Sequence, residues 1–224
     1  MPIKIVACEV MKEELLAVTA DSDIEFEFIS MGLHLYPEKL GKELQQILNG
    51  LTGYSRVILA FGLCGGAAKN LKTVRFTLTI PRVHDCIPLL LGSKAAYEKF
   101  HQEETGTLYL SCGWMNGERT ILSEYDRIYK KYGEKKATGL FKRMYSGYQR
   151  ALFIRTGSAV EPQCLQRSHQ VAALLGLSHQ ITQGDTSFIK KIVKGPWSTA
   201  DFINVPPGGT VDEWAFYDGK LDTI

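Results

Sequence analysis

Four of the five cysteines in this chain recur at one position in a strand-and-loop pattern, and thiols gathered that way can bind metal. Cys8 directly follows the apolar run at residues 3–7 (IKIVA). Cys64 sits in Gly62-Leu63-Cys64-Gly65-Gly66, directly after residues 56–61 (RVILAF). Cys86 closes the short loop Arg82-Val83-His84-Asp85-Cys86 that follows residues 77–81 (TLTIP). Cys112 comes after residues 107–111 (TLYLS) and precedes Gly113-Trp114. Free cysteine often does no more than pack in a core, and Cys164, inside a helical pattern, is read that way. Packing gives no reason for four thiols to choose strand-end loops, which are a minority of the chain. Cys8, Cys64, Cys86 and Cys112 are therefore the candidate metal ligands.

Two histidines compete to complete the set. His84 lies two residues before Cys86, and His34, in Gly32-Leu33-His34-Leu35-Tyr36-Pro37, follows the second predicted strand. Either imidazole suits a thiolate site. Around them, Glu9 and Asp85 could orient a ligand, and Arg82 could hold an anionic substrate or form a surface ion pair. Gly65 and Gly113 would let the backbone close to a ligand, and Trp114 stands beside Cys112. The segment Ala67-Ala68-Lys69 reads as a helix start whose dipole would lower the thiol pKa of Cys64.

Other chemistries find less support. No C-x₂-C pair marks a zinc ribbon and no cysteine run marks a ferredoxin, so these ligands are isolated in sequence and need the fold to assemble them. Gly62–Gly66 is not a G-x-G-x-x-G loop, no Walker lysine follows it, and no G-x-S-x-G elbow occurs. Cys64 with His84 and Asp85 could serve as nucleophile, base and orienter, but adjacent His and Asp side chains rarely face each other, which ranks that reading below metal binding.

The elements that must position these residues alternate. Strands are predicted at residues 3–7, 24–30, 56–61, 77–81, 107–111, 151–155, 178–182 and 202–205, from short apolar or alternating runs. Helices are predicted at 11–20, 37–49, 87–100, 163–175 and 188–193, with mostly helical chain over 118–148 broken at Gly133 and Gly139. The alternation implies an α/β fold, with a mostly parallel central sheet flanked by helices on both faces in a Rossmann-like arrangement. One domain spans residues 1–224, with its weakest boundary near 150. Parallel sheets place ligands at the carboxyl ends of their strands, which is where the cysteines fall. The loops at 184–187 (GDTS) and 206–210 (PPGGT) are expected near the same edge, walling a pocket or turning the chain.

With 45% hydrophobic and 22% charged residues, the 224-residue chain has an ordinary globular composition. Its 26 basic and 24 acidic residues nearly balance, which argues against nucleic acid or an anionic membrane as partner. The basic stretch at 129–150 reads as a solvated helix face. The opening MPIKIVACEV has no extended apolar segment and reads as a strand, and no run reaches a membrane-spanning length. A cytoplasmic protein is expected, its odd number of cysteines serving as free thiols or ligands.

Several motifs together resemble a known family. Ala7-Cys8, LHLYP at 33–37, FGLCGG at 61–66, PRVHDCIPLLLGS at 81–93 and Gly113-Trp114 are similar to a prokaryotic family known as domain of unknown function 1638. The similarity extends through GPW at 195–197 and VPPGG at 205–209. Members look frequent in anaerobic archaea and bacteria, some of them associated with corrinoid-dependent methyl transfer. The resemblance implies functional weight on Cys8, His34, Cys64, Arg82, Asp85 and Cys86. This chain departs from it in carrying His84, where an acidic residue is more usual, and Cys112, where the family often has another residue.

Three readings follow. The first is a zinc-type site that generates a thiol or water nucleophile, in its most concrete form for thiol or methyl-group chemistry beside a corrinoid system. The second is an iron–sulfur cluster for electron transfer or substrate binding. The third is a non-enzymatic accessory protein that binds a corrinoid or a partner, with the cysteines only structural. Partners are then a small-molecule substrate or a corrinoid-system protein, and a homo-oligomer stays open.

Overall fold

The continuous apolar runs become strands covered on both faces, as parallel pairing requires. The computed structural model describes residues 3–19 and 24–217. Its strands are β1 (Ile3–Cys8), β2 (Glu25–Ile29), β3 (Arg56–Ala60), β4 (Thr77–Pro81), β5 (Thr107–Leu110), β6 (Arg150–Arg155), β7 (Ser178–Gln183) and β8 (Phe202–Val205). Its helices are α1 (Lys12–Val18), α2 (Pro37–Gly50), α3 (Ile87–Leu91), α4 (Lys94–Glu103), α5 (Cys112–Asn116), α6 (Ile121–Tyr132), α7 (Glu134–Met144), α8 (Glu161–Leu175) and α9 (Ser187–Lys194). The fold is α/β with largely parallel pairing, and its strands are shared between two sheets. Residues 3–8, 15–19, 24–86 and 187–217 form one compact unit, and 9–14 with 87–186 form a second.

The first unit holds a five-stranded sheet in the order β2-β1-β3-β4-β8. The first four strands run parallel, with Cys8 opposite Ile29 and Ala7 opposite Ala60. β8 returns antiparallel to β4, Val205 facing Leu78. That reversal corrects one expectation: the loop after β8 leaves from the edge opposite the carboxyl ends of β1, β3 and β4. There Gly208 donates to the Thr73 carbonyl at 2.8 Å and Thr73 donates to Gly209 at 3.1 Å, so 206–210 turns the chain. α2 starts at Pro37, whose missing N–H costs nothing in a first turn, and buries Leu40, Leu44 and Leu48 along one stripe.

The second unit holds β5-β6-β7, all parallel. Leu110, Phe141, Ala151, Phe153, Val171 and Ala172 form its core, and Trp114 packs against it. Glycines with positive φ punctuate its helices. Gly133, at +78°, separates α6 from α7, and Gly176, at +73°, ends α8. The helix predicted over 87–100 is two, because Gly92 at +85° cannot continue a right-handed turn. Ser93 then restarts the chain, its hydroxyl accepting the Ala96 N–H at 3.1 Å. No break occurs at Gly139, which lies inside α7, where burial of Ala137 and Phe141 outweighs the roughly 1 kcal/mol a mid-helix glycine costs. The helix predicted at 11–20 is a 3₁₀ turn over Glu9–Met11 followed by α1, and Ala20 lies outside the described residues.

Gly113 is explained here by packing rather than by a ligand. A β-carbon on it would stand 1.8 Å from the Val10 carbonyl oxygen, which is backbone and cannot step aside. Gly113→Ala should cost about 3 kcal/mol of unfolding free energy, as overpacking a filled interior does. A denaturant midpoint unchanged from wild type would contradict this contact.

Candidate metal centre

Cys8 is the last residue of β1, buried at the strand's carboxyl end. The loop after β2 delivers the residue opposite it. Ser30 opens a 3₁₀ turn over Met31–Leu35 by accepting the Gly32 N–H at 3.3 Å, and the turn carries His34. Its Nε2 lies 3.1 Å from the Cys8 sulfur, and its ring stacks near Phe61 with centroids 6.1 Å apart. Burial holds the His34 pKa below its ordinary 6.5, so the imidazole is neutral and able to ligate at neutral pH.

Cys64 arrives from the end of β3. Leu63 donates to the Val83 carbonyl at 2.9 Å and Cys64 to the His84 carbonyl at 2.8 Å, which fastens this loop to the one after β4. The approach leaves room only for hydrogen on Gly62, since a β-carbon there would stand 2.6 Å from the Asp85 nitrogen. Cys64, Gly65 and Gly66 then take φ of +48°, +66° and +91° in succession. Glycine adopts that backbone freely, but a residue with a β-carbon is strained by about 1–2 kcal/mol. Such strain is characteristic of residues held for function.

The same left-handed run prevents the helix predicted at 67–69, and residues 64–70 are turns. The lowered thiol pKa expected from a helix dipole is absent with it. Burial instead raises Cys64 to about 12, with the Cys8 and Asp85 charges adding to the rise and a backbone hydrogen bond at Gly62 opposing it. Cys86, buried just before α3, is pushed well up by burial and by the charges of Asp85, Cys8 and Cys64. Cys8, Cys64, Cys86 and Asp85 therefore lie within electrostatic reach of one another, with His34 against Cys8.

The remaining candidates have other surroundings. His84 is exposed, and its ring meets Tyr217 edge-on with centroids 5.1 Å apart. Cys112 belongs to the second unit, where it opens α5 and its thiol interacts with that of Cys164. Asn116 Nδ2 donates to the Cys164 sulfur at 3.4 Å. Glu9 opens the 3₁₀ turn after Cys8 and also belongs to the second unit. Gly65 approaches Pro37, its added β-carbon 3.0 Å from Cγ.

The family expected from the motifs matches over residues 28–193, under the description protein of unknown function (DUF1638). The chain belongs to this family. No curated protein and no solved structure matches it. The match covers His34, Cys64, Arg82, Asp85 and Cys86, while Cys8 precedes its first residue.

As they stand, no three His, Cys, Asp or Glu side chains among the described residues enclose a metal-sized space. The donor chemistry nonetheless suits zinc. In a tetrahedral site with Zn–S of about 2.3 Å and Zn–N of about 2.0 Å, a sulfur and a nitrogen sit about 3.5 Å apart. Cys8 and His34 at 3.1 Å need only a small separation to reach it.

The metal-free protein should lose stability on both sides of neutrality. The depressed His34 contributes stability above its ordinary 6.5 that is lost as pH falls toward its lower folded value. Cys64 contributes stability below its ordinary 9.0 that is lost as pH rises through about 12. Urea midpoints across pH check this: His34→Ala should flatten the acid side and Cys64→Ser the alkaline side. Variants as pH-sensitive as wild type on those limbs would contradict it.

Proposed function

We propose that the first unit binds one zinc ion through Cys8, Cys64 and Cys86, with His34 as the nitrogen ligand. Asp85 acts beside the thiolates as an orienting carboxylate or an exchangeable ligand. This reading is supported by His34 Nε2 lying 3.1 Å from the Cys8 sulfur and by Cys8, Cys64 and Cys86 standing within electrostatic reach of one another at separate strand ends. Packing alone would not bring Cys64 there in a strained left-handed conformation. In the absence of metal, burial favours the protonated thiols of Cys64 and Cys86, and a divalent cation would reverse that preference by replacing the protons. Binding should accordingly release protons and weaken as pH falls.

Metal bound this way supplies a Lewis acid and lowers the pKa of a coordinated thiol or water, generating a nucleophile at neutral pH. Thiol or methyl-group chemistry linked to corrinoid metabolism, in the cytoplasm, is the use we favour. It draws its support from the association of family members with corrinoid systems. No helix among the described residues is long and apolar enough to cross a membrane.

Anaerobic purification followed by elemental analysis tests the proposal. Wild-type protein should carry one zinc per chain, Cys64→Ser and Cys86→Ser should carry little, and Cys112→Ser should retain it. A brown, visible-absorbing protein rich in iron and sulfide would replace zinc with a cluster. A metal-free protein whose Cys64→Ser variant behaves like wild type would overturn metal binding altogether, leaving the accessory-protein reading.

A further inference from the structure

Arg82 is the first residue beyond β4, on the edge where the thiols gather. Extending the β3–β4 register by three residues beyond Ile58 opposite Thr79 sets Ala60 level with Pro81, and Phe61 level with Arg82. Ala7 is opposite Ala60, so Cys8 is level with Phe61 in turn. Arg82 and Cys8 thus stand at one height with a single strand between them, about 10 Å apart at the usual spacing. The Arg82 backbone is fixed, its N–H donating to the Asp201 carbonyl at 2.8 Å.

One nitrogen of its side chain is left over among the described residues. Arg82 Nε is buried and has no hydrogen-bond partner among the described residues, and no ion pair there includes this guanidinium. The carboxylate of Asp201 is taken by Lys191 at 2.7 Å. A guanidinium is always charged and presents five donors in a rigid fork. Holding one part-buried without an acceptor costs free energy that an ordinary surface arginine avoids by facing water. The other part-buried arginines of the chain are served. Arg56 donates to Thr79 and Asn204, and Arg150 to Thr107, Gln180 and the Phe100 carbonyl.

We infer that Arg82 is an oxyanion-binding residue, holding the carboxylate or phosphoryl group of a small substrate whose other end reaches the cysteine cluster. Carboxylate and phosphate share the planar, two-oxygen edge that the guanidinium fork matches. A span of about 10 Å between the strands suits a short-chain molecule anchored at one end and reacting at the other. The inference rests on the metal reading for what happens at the far end, and its test does not.

Thermal unfolding at constant ionic strength, with sodium chloride replaced stepwise by sodium phosphate or by sodium acetate, reads the site directly. At least one oxyanion should raise the wild-type midpoint saturably. A shift with phosphate alone assigns a phosphoryl group, and one with acetate alone a carboxylate. Arg82→Gln should weaken the apparent affinity at least about tenfold, with Arg82→Lys in between, as loss of a charge-assisted pair implies. In chloride alone Arg82→Gln should melt no lower than wild type, because it removes an unsatisfied charge; an arginine serving only structure would lower it. The inference fails if neither oxyanion acts beyond chloride, if the shift survives in Arg82→Gln, or if that variant is destabilised in chloride. A zinc-free protein that keeps the Arg82-dependent shift retains this site and loses the metal reading. A zinc-loaded protein without the shift does the reverse.

Discussion

Leu63 and Cys64 donate their backbone N–H groups to the carbonyls of Val83 and His84, and the candidate site depends on those two bonds. They tie the loop after β3 to the loop after β4 at a separation that Gly62 alone permits, because a β-carbon there would meet the Asp85 backbone. Once the loops are joined, Cys64 cannot relax to an ordinary conformation without moving Asp85 and Cys86. The strain of its positive φ is therefore held by the pairing of its neighbours, as strained functional residues require. The parallel register does the rest, setting Cys8 at the height where β3 gives way to its loop and bringing the 3₁₀ turn of His34 alongside.

Electrostatics follows from the same geometry. Burial, followed by the charges of neighbouring thiols and of Asp85, pushes Cys64 and Cys86 upward rather than activating them. A buried thiol cluster of this kind is inert to electrophiles but well suited to exchanging protons for a cation. The reading of Cys64 as a nucleophile with His84 as base loses its footing here, since the thiol stays protonated and the His84 ring packs on Tyr217.

Much of this was legible in the residues. Apolar or alternating runs located every strand within a residue or two, most plainly β1, β3, β4 and β6, whose buried stretches leave a continuous apolar signal. Strand-end position picked out Cys8, Cys64 and Cys86, which the fold sets within electrostatic reach of one another. It could not separate Cys112 from them, since the pattern of strand followed by cysteine is the same in both sheets. Only the pairing of β5 with β6 and β7 puts Cys112 in the second unit beside Cys164. His34 and His84 looked alike for a related reason: a sequence says which loop holds a histidine but not which way the loop turns. The close approach at Gly62 and the left-handed run from Cys64 were hidden because they depend on contacts between distant segments. A glycine-rich stretch is equally compatible with a helix start, which is what it resembled. Arg82 could be placed beside the site from sequence, but that its Nε finds no partner among the described residues is a fact of packing.

The central claim is that three sulfurs and one imidazole from separate strand ends can share one ion. X-ray absorption at the zinc edge of the metal-loaded protein tests this most directly. The account predicts three sulfur neighbours at about 2.3 Å and one nitrogen at about 2.0–2.1 Å, with the sulfur count falling in Cys8→Ser. A shell of nitrogen and oxygen alone, or a sulfur shell indifferent to Cys8, would contradict it.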